Sequence, residues 1–71
     1  VIGGIVAQLI EVRRRRGLSQ REVTRRIGGS SATLNLWERG IHEPTLSHLQ
    51  AWANALDLDL QLVQLDGKLE P

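Results

Sequence analysis

The chain has 71 residues and no cysteine, which bounds it to one small domain and excludes disulfides, thiolate metal sites and cysteine nucleophiles. No apolar run reaches the roughly 18 residues that cross a bilayer, and Val1-Ile2-Gly3-Gly4 lacks the basic start of a secretory signal, so a cytoplasmic protein without membrane contact is expected, its opening valine reading as a trimmed amino terminus. The net charge of +1 hides an uneven division: residues 1–42 carry eight arginines against three glutamates, and residues 43–71 one lysine against five acids, which points to an anionic partner on the first half and a different role for the second.

Ile2, Ile5, Leu9 and Val12, with Val6 beside them, recur at the spacing of one helical face, so residues 4–16 are expected as an amphipathic helix closed by Gly17. Ser19 followed three residues later by Glu22 is a capping box, and Leu18 with Val23 matches a hydrophobic staple. A second helix, Gln20 to Ile27, should end at Gly28-Gly29. Ser30 can cap a third, Ser31 to Glu38, with Leu34 and Trp37 inward and Gly40 as its stop. Thr45 can cap a fourth, in which Leu46, Leu49, Trp52, Ala53 and Leu56 keep helical spacing. Two short helices joined by a tight glycine turn predict a helix-turn-helix, the common way for a small basic domain to lay a helix in the major groove.

After Leu56 the period changes to two. Leu58, Leu60 and Leu62 alternate with Asp57, Asp59 and Gln61, the pattern of a half-buried strand; Val63 breaks the alternation, by a bulge or by an end. A lone strand leaves its backbone groups unpaired, and no second strand pattern exists, so pairing with another copy is expected. A fifth amphipathic helix is the competing reading. The expected fold is all-α, a compact four-helix bundle with a helix-turn-helix (1–56), followed by a carboxy-terminal β-strand (57–65) that pairs in a homodimer and a tail (66–71).

Trp37 and Trp52 lie on apolar helix faces and read as core. His42 and His48 have no cysteine or suitably spaced acid beside them, so no metal ligand set is expected. Asp57 and Asp59 share a face without a convergent pocket, so they read as solvated charges. No catalytic constellation and no cofactor are expected, and the chain reads as a binding protein, not an enzyme. Residues 31, 32, 35 and 36 share one helical face opposite Leu34 and Trp37. Arginines 13–16 span most of a helix circumference and must divide their roles.

At Arg13, Gly17-Leu18-Ser19-Gln20, Gly28, Leu34, Trp37-Glu38-Arg39-Gly40 and Pro44 the chain resembles the lambda-repressor-like, Xre/Cro family of DNA-binding domains, over residues 5–56. The resemblance implies that the third helix reads bases through Ser31, Ala32, Asn35 and Leu36. Asn35 can pair with adenine, Ala32 and Leu36 can meet thymine methyl groups, and Ser31 tolerates several bases; packing is the competing role for Leu36. The family often places glutamine or arginine at these positions, so the reading face here is weakly polar. The resemblance further implies that Gln20 and Arg39 touch phosphates, with Arg21 and Arg16 as nearby candidates, and that Arg13 turns inward to pair with Glu38. The alternating leucines are similar to those of HipB-like antitoxins, whose strand completes a dimer and whose outer surface holds a toxin. The expected partners are therefore double-stranded DNA, a second copy and a cognate toxin, in a transcriptional regulator that represses by occluding a promoter. A phage-type repressor and a protein-interaction module without DNA binding are the competing functions.

Overall fold

Side-chain oxygens set the starts of three of the four helices in the computed structural model, which describes residues 2–61: α1 (Ile2–Arg15), α2 (Gln20–Ile27), α3 (Ser31–Glu38) and α4 (Leu46–Ala55). The hydroxyl of Ser19 accepts from the Glu22 N–H at 3.1 Å while the Glu22 carboxylate accepts from the Ser19 N–H at 3.1 Å. These two bonds, the backbone one first, hold the Glu22 carboxyl below its ordinary pKa. Ser30 accepts from the Thr33 N–H and Thr45 from the His48 N–H, each at 3.2 Å, so every expected cap is formed.

The four ends share one device. The N–H of Leu18 returns to the Arg13 carbonyl at 3.0 Å, that of Gly29 to Thr24 at 3.1 Å, that of Ile41 to Leu36 at 3.0 Å and that of Leu58 to Ala53 at 2.8 Å. Each is the six-to-one closure that needs a left-handed residue just before it. Gly17, Gly28 and Gly40 fill that place after the first three helices, and Asp57, with φ 58°, fills it after α4.

Beyond Asp57 the expected strand is not seen. Among the described residues 58–61 have no regular secondary structure, neither strand nor fifth helix, because a strand is defined by a hydrogen-bonded neighbour and a single copy offers none. The alternation survives as burial: Leu58 and Leu60 pack against the core while Asp59 and Gln61 are exposed. Leu62, like the rest of the expected strand, lies outside the described residues.

The core is built from all four helices. Val23 of α2, Leu34 of α3, and Trp52 of α4 with the adjoining Leu56 are fully enclosed, joined by Val6 and Leu9 of α1, and α2 packs on both α3 and α4. Trp37 and Trp52 stack with ring centroids 6.0 Å apart. Thr24, the one buried polar residue among those described, is satisfied by the Gln20 and Arg21 carbonyls at 2.9 and 3.0 Å.

One ionic contact fastens α1 to α3. Arg13 donates from Nε to Glu38 Oε2 at 2.8 Å and from Nη2 to Oε1 at 2.9 Å, while its Nη1 reaches the Leu18 carbonyl at 2.8 Å. The two side chains are only 11% and 7% exposed. The neighbouring pair of Arg15 with Glu11 spans one turn of α1 at 2.6 Å, with side chains 73% and 61% exposed.

Two outcomes follow for stability. Gly28 has φ 90° and a Cβ there would meet nothing within 4 Å, so Gly28→Ala should cost about 1–2 kcal/mol through conformation alone. Gly29 is equally open and not left-handed, so Gly29→Ala should be neutral or stabilise by up to about 1 kcal/mol; urea melts of the two variants test the contrast. Arg13→Ala strands a buried carboxylate and should cost about 3–5 kcal/mol, whereas Arg15→Ala removes a solvated pair worth at most about 1 kcal/mol. Equal melting midpoints for these two would contradict the assignment of Arg13–Glu38 as the tie between helices.

Candidate nucleic-acid interface

Gly28, Gly29 and Ser30 make the whole connection between α2 and α3. Since Leu34 and Trp37 are buried, the opposite side of α3 is turned outward by helical geometry. Ser31 and Ala32 are exposed there, with Asn35 and Leu36 half-buried behind them. The face thus presents a hydroxyl and a methyl at its leading end, then an amide and a partly sunken isobutyl group. Leu36 is half-buried.

A chain of polar contacts runs from the buried ion pair to this face. Gln20 donates from Nε2 to Glu38 Oε1 at 3.0 Å, so one carboxylate accepts from both Arg13 and Gln20. The Gln20 Oε1 in turn accepts from Asn35 Nδ2 at 3.4 Å, and Asn35 Oδ1 accepts from Arg39 Nη1 at 3.5 Å. The last two are long and contribute orientation more than energy. Gln20 thus links the start of α2 to the second half of α3, using one donor and its acceptor oxygen and keeping a second N–H. Alongside it, the first N–H groups of α2 lack helical partners and carry the positive end of the helix dipole.

The arginines separate by what they hold. Arg21 and Arg39 are exposed, Arg21 on the first turn of α2 and Arg39 just past the end of α3. Arg16 instead donates from Nη1 to the Leu56 carbonyl, and Arg26 donates from Nη1 to the Ala55 carbonyl at 2.8 Å. Two guanidinium groups, one just past α1 and one on α2, thereby satisfy the closing carbonyls of α4, where cations also offset the helix dipole. The role of Arg26 was not read from the sequence, and no local signal carries it, because its partner lies 29 positions away. Gln50 provides a further link, donating from Nε2 to Asp59 Oδ1 at 3.0 Å and so tethering the segment after α4.

Among the described residues no group of three or more His, Cys, Asp or Glu side chains is placed to hold a metal ion, and no helix is long and apolar enough to cross a membrane.

Comparison with known proteins agrees with this geometry. A family model described as helix-turn-helix matches residues 9–63. Over 59 residues, covering 83% of this chain, the sequence is 42% identical to the protein named antitoxin HigA1 from Mycobacterium tuberculosis strain CDC 1551 / Oshkosh, and equally to that from strain ATCC 25618 / H37Rv. The match spans 40% of the length of those relatives. With α2, the glycine turn and α3 in the arrangement described, the chain belongs to the Xre-type, lambda-repressor-like family of helix-turn-helix DNA-binding domains.

Proposed function

We propose that this chain is the operator-binding part of a dimeric transcriptional repressor, an antitoxin that regulates its own toxin-antitoxin operon in the cytoplasm. In this reading α3 enters the major groove. Ser31 and Ala32 lead, Asn35 pairs with adenine, and Leu36 contributes an apolar edge against a thymine methyl. Gln20 through its spare N–H, Arg21 and Arg39 hold phosphates beside it, while Arg16 is spent on the Leu56 carbonyl. The leucine segment 57–65 joins two copies, so that paired α3 helices meet successive turns of the duplex. The chain acts by occupancy, without catalysis and without a cofactor.

The observation that carries this reading is the outward face of α3, whose Asn35 amide is oriented from both sides by Gln20 and Arg39. Its antitoxin part rests on the likeness to proteins named antitoxin HigA1, and on the acidic composition of the second half of the chain, which suits a basic toxin. A phage-type repressor would share the DNA chemistry and lack the toxin.

Selection of duplexes from a random pool by the full-length protein tests the reading. The expected product is a palindrome with half-sites about 10 bp apart; a pool without enrichment would overturn it in favour of a protein-interaction module. Purification alongside the product of a neighbouring reading frame tests the toxin. Within the selected site, Asn35→Ala should lose about 1–3 kcal/mol of discrimination at one base position while binding to a mixed-sequence duplex is retained, read by competition titration.

A further inference from the structure

Five of the eight arginines have partners among the described residues: Arg13 and Arg15 in ion pairs, Arg16 and Arg26 on carbonyls, Arg39 on Asn35. Arg14, Arg21 and Arg25 have none there. Arg21 and Arg25 stand one helical turn apart on α2, both exposed, and flank an open cleft of about 540 Å³ whose other walls are Thr24, Gly29, Ser30 and Ser31. Like charges at this spacing repel each other. The one carboxylate on their helix, Glu22, is already held by the Ser19 cap. The Glu22 carboxylate attracts Arg25 across one turn of the helix but is bonded to Ser19, so the fold keeps two guanidinium groups side by side over a cleft with their N–H donors in neither an ion pair nor a hydrogen bond among the described residues.

We propose that this cleft takes a phosphodiester of the DNA backbone, clamped between Arg21 and Arg25, which makes Arg25 a phosphate-contacting residue. The inference rests on the DNA-binding reading above and extends its backbone contacts to the last turn of α2. Ser31 belongs both to the cleft and to the leading end of the reading face, so a helix seated in the groove carries the cleft to the adjoining sugar-phosphate rail. Guanidinium forks match phosphate oxygens in a bidentate manner. An acidic protein segment is the other anionic occupant, but the walls are Arg, Thr, Gly and Ser, without the apolar anchor that protein interfaces place at their centre.

The test is a titration of the full-length protein against its selected duplex and a mixed-sequence duplex over a series of KCl concentrations. Arg25→Ala should lower affinity several-fold on both and reduce the log-log salt slope by about 0.9, the signature of one lost phosphate contact. Its melting point should change little, since the repulsion from Arg21 that the substitution removes offsets the attraction to Glu22 and to the end of the helix dipole that it also removes. Arg25→Lys should keep the slope and bind more weakly, and Arg14→Ala should match the wild type. The cleft assignment fails if the wild type binds and Arg25→Ala keeps its slope. It fails also if Arg14→Ala loses as much, which would mean diffuse attraction, or if Arg25→Ala disturbs only binding to an acidic protein. A wild type that binds neither duplex sinks the DNA-binding reading itself, and the cleft with it.

Discussion

Glu38 ends α3 with a carboxylate whose side chain is 7% exposed, and a charge so placed persists only when its oxygens are occupied. Arg13 occupies both and Gln20 adds a third bond. Those three bonds come from α1 and from the first residue of α2, so the end of α3 is located relative to two other helices at one point. The apolar contacts of Leu34 and Trp37 then fix its rotation. A helix of eight residues is marginal alone, and its pose is a property of the whole bundle.

Local signals carried much of this architecture. The capping box at Ser19, the caps at Ser30 and Thr45, and the stops at Gly17, Gly28 and Gly40 are short-range chemistry, and helix limits followed to within two residues. The end of α4 was harder to read because Asp57 does the work of a glycine, so the alternation of leucines appeared to begin a strand where the chain is still closing a helix. What Leu58 and Leu60 do is visible only against the core. The reach of Arg16 and Arg26 to the last carbonyls of α4 spans 40 and 29 positions, and no spacing rule connects such residues. That residues 31, 32, 35 and 36 share one side of α3 was legible from helical spacing, whereas the bridging of Glu38 and Asn35 by Gln20 was not, since it depends on how two helices cross.

Charge counted along the chain also overstates what the interface has available. The basic excess of the first half is spent largely on internal duties: joining helices, closing α4 and orienting an amide. Among the described residues the guanidinium groups left without an internal hydrogen bond or ion pair are those of Arg14 on α1 and of Arg21 and Arg25 on α2, three of the eight arginines that the sequence counts.

The polar chain through Gln20 has a corollary for substitution. Asn35 is tied, however loosely, to residues that also keep the bundle together, so exchanging it unsettles Gln20 and Arg39 as well. Ser31 and Ala32 are exposed and stand clear of that chain. Side chains at 31 and 32 can therefore be exchanged with the bundle left as it is, whereas a change at 35 is felt through Gln20 as far as Glu38.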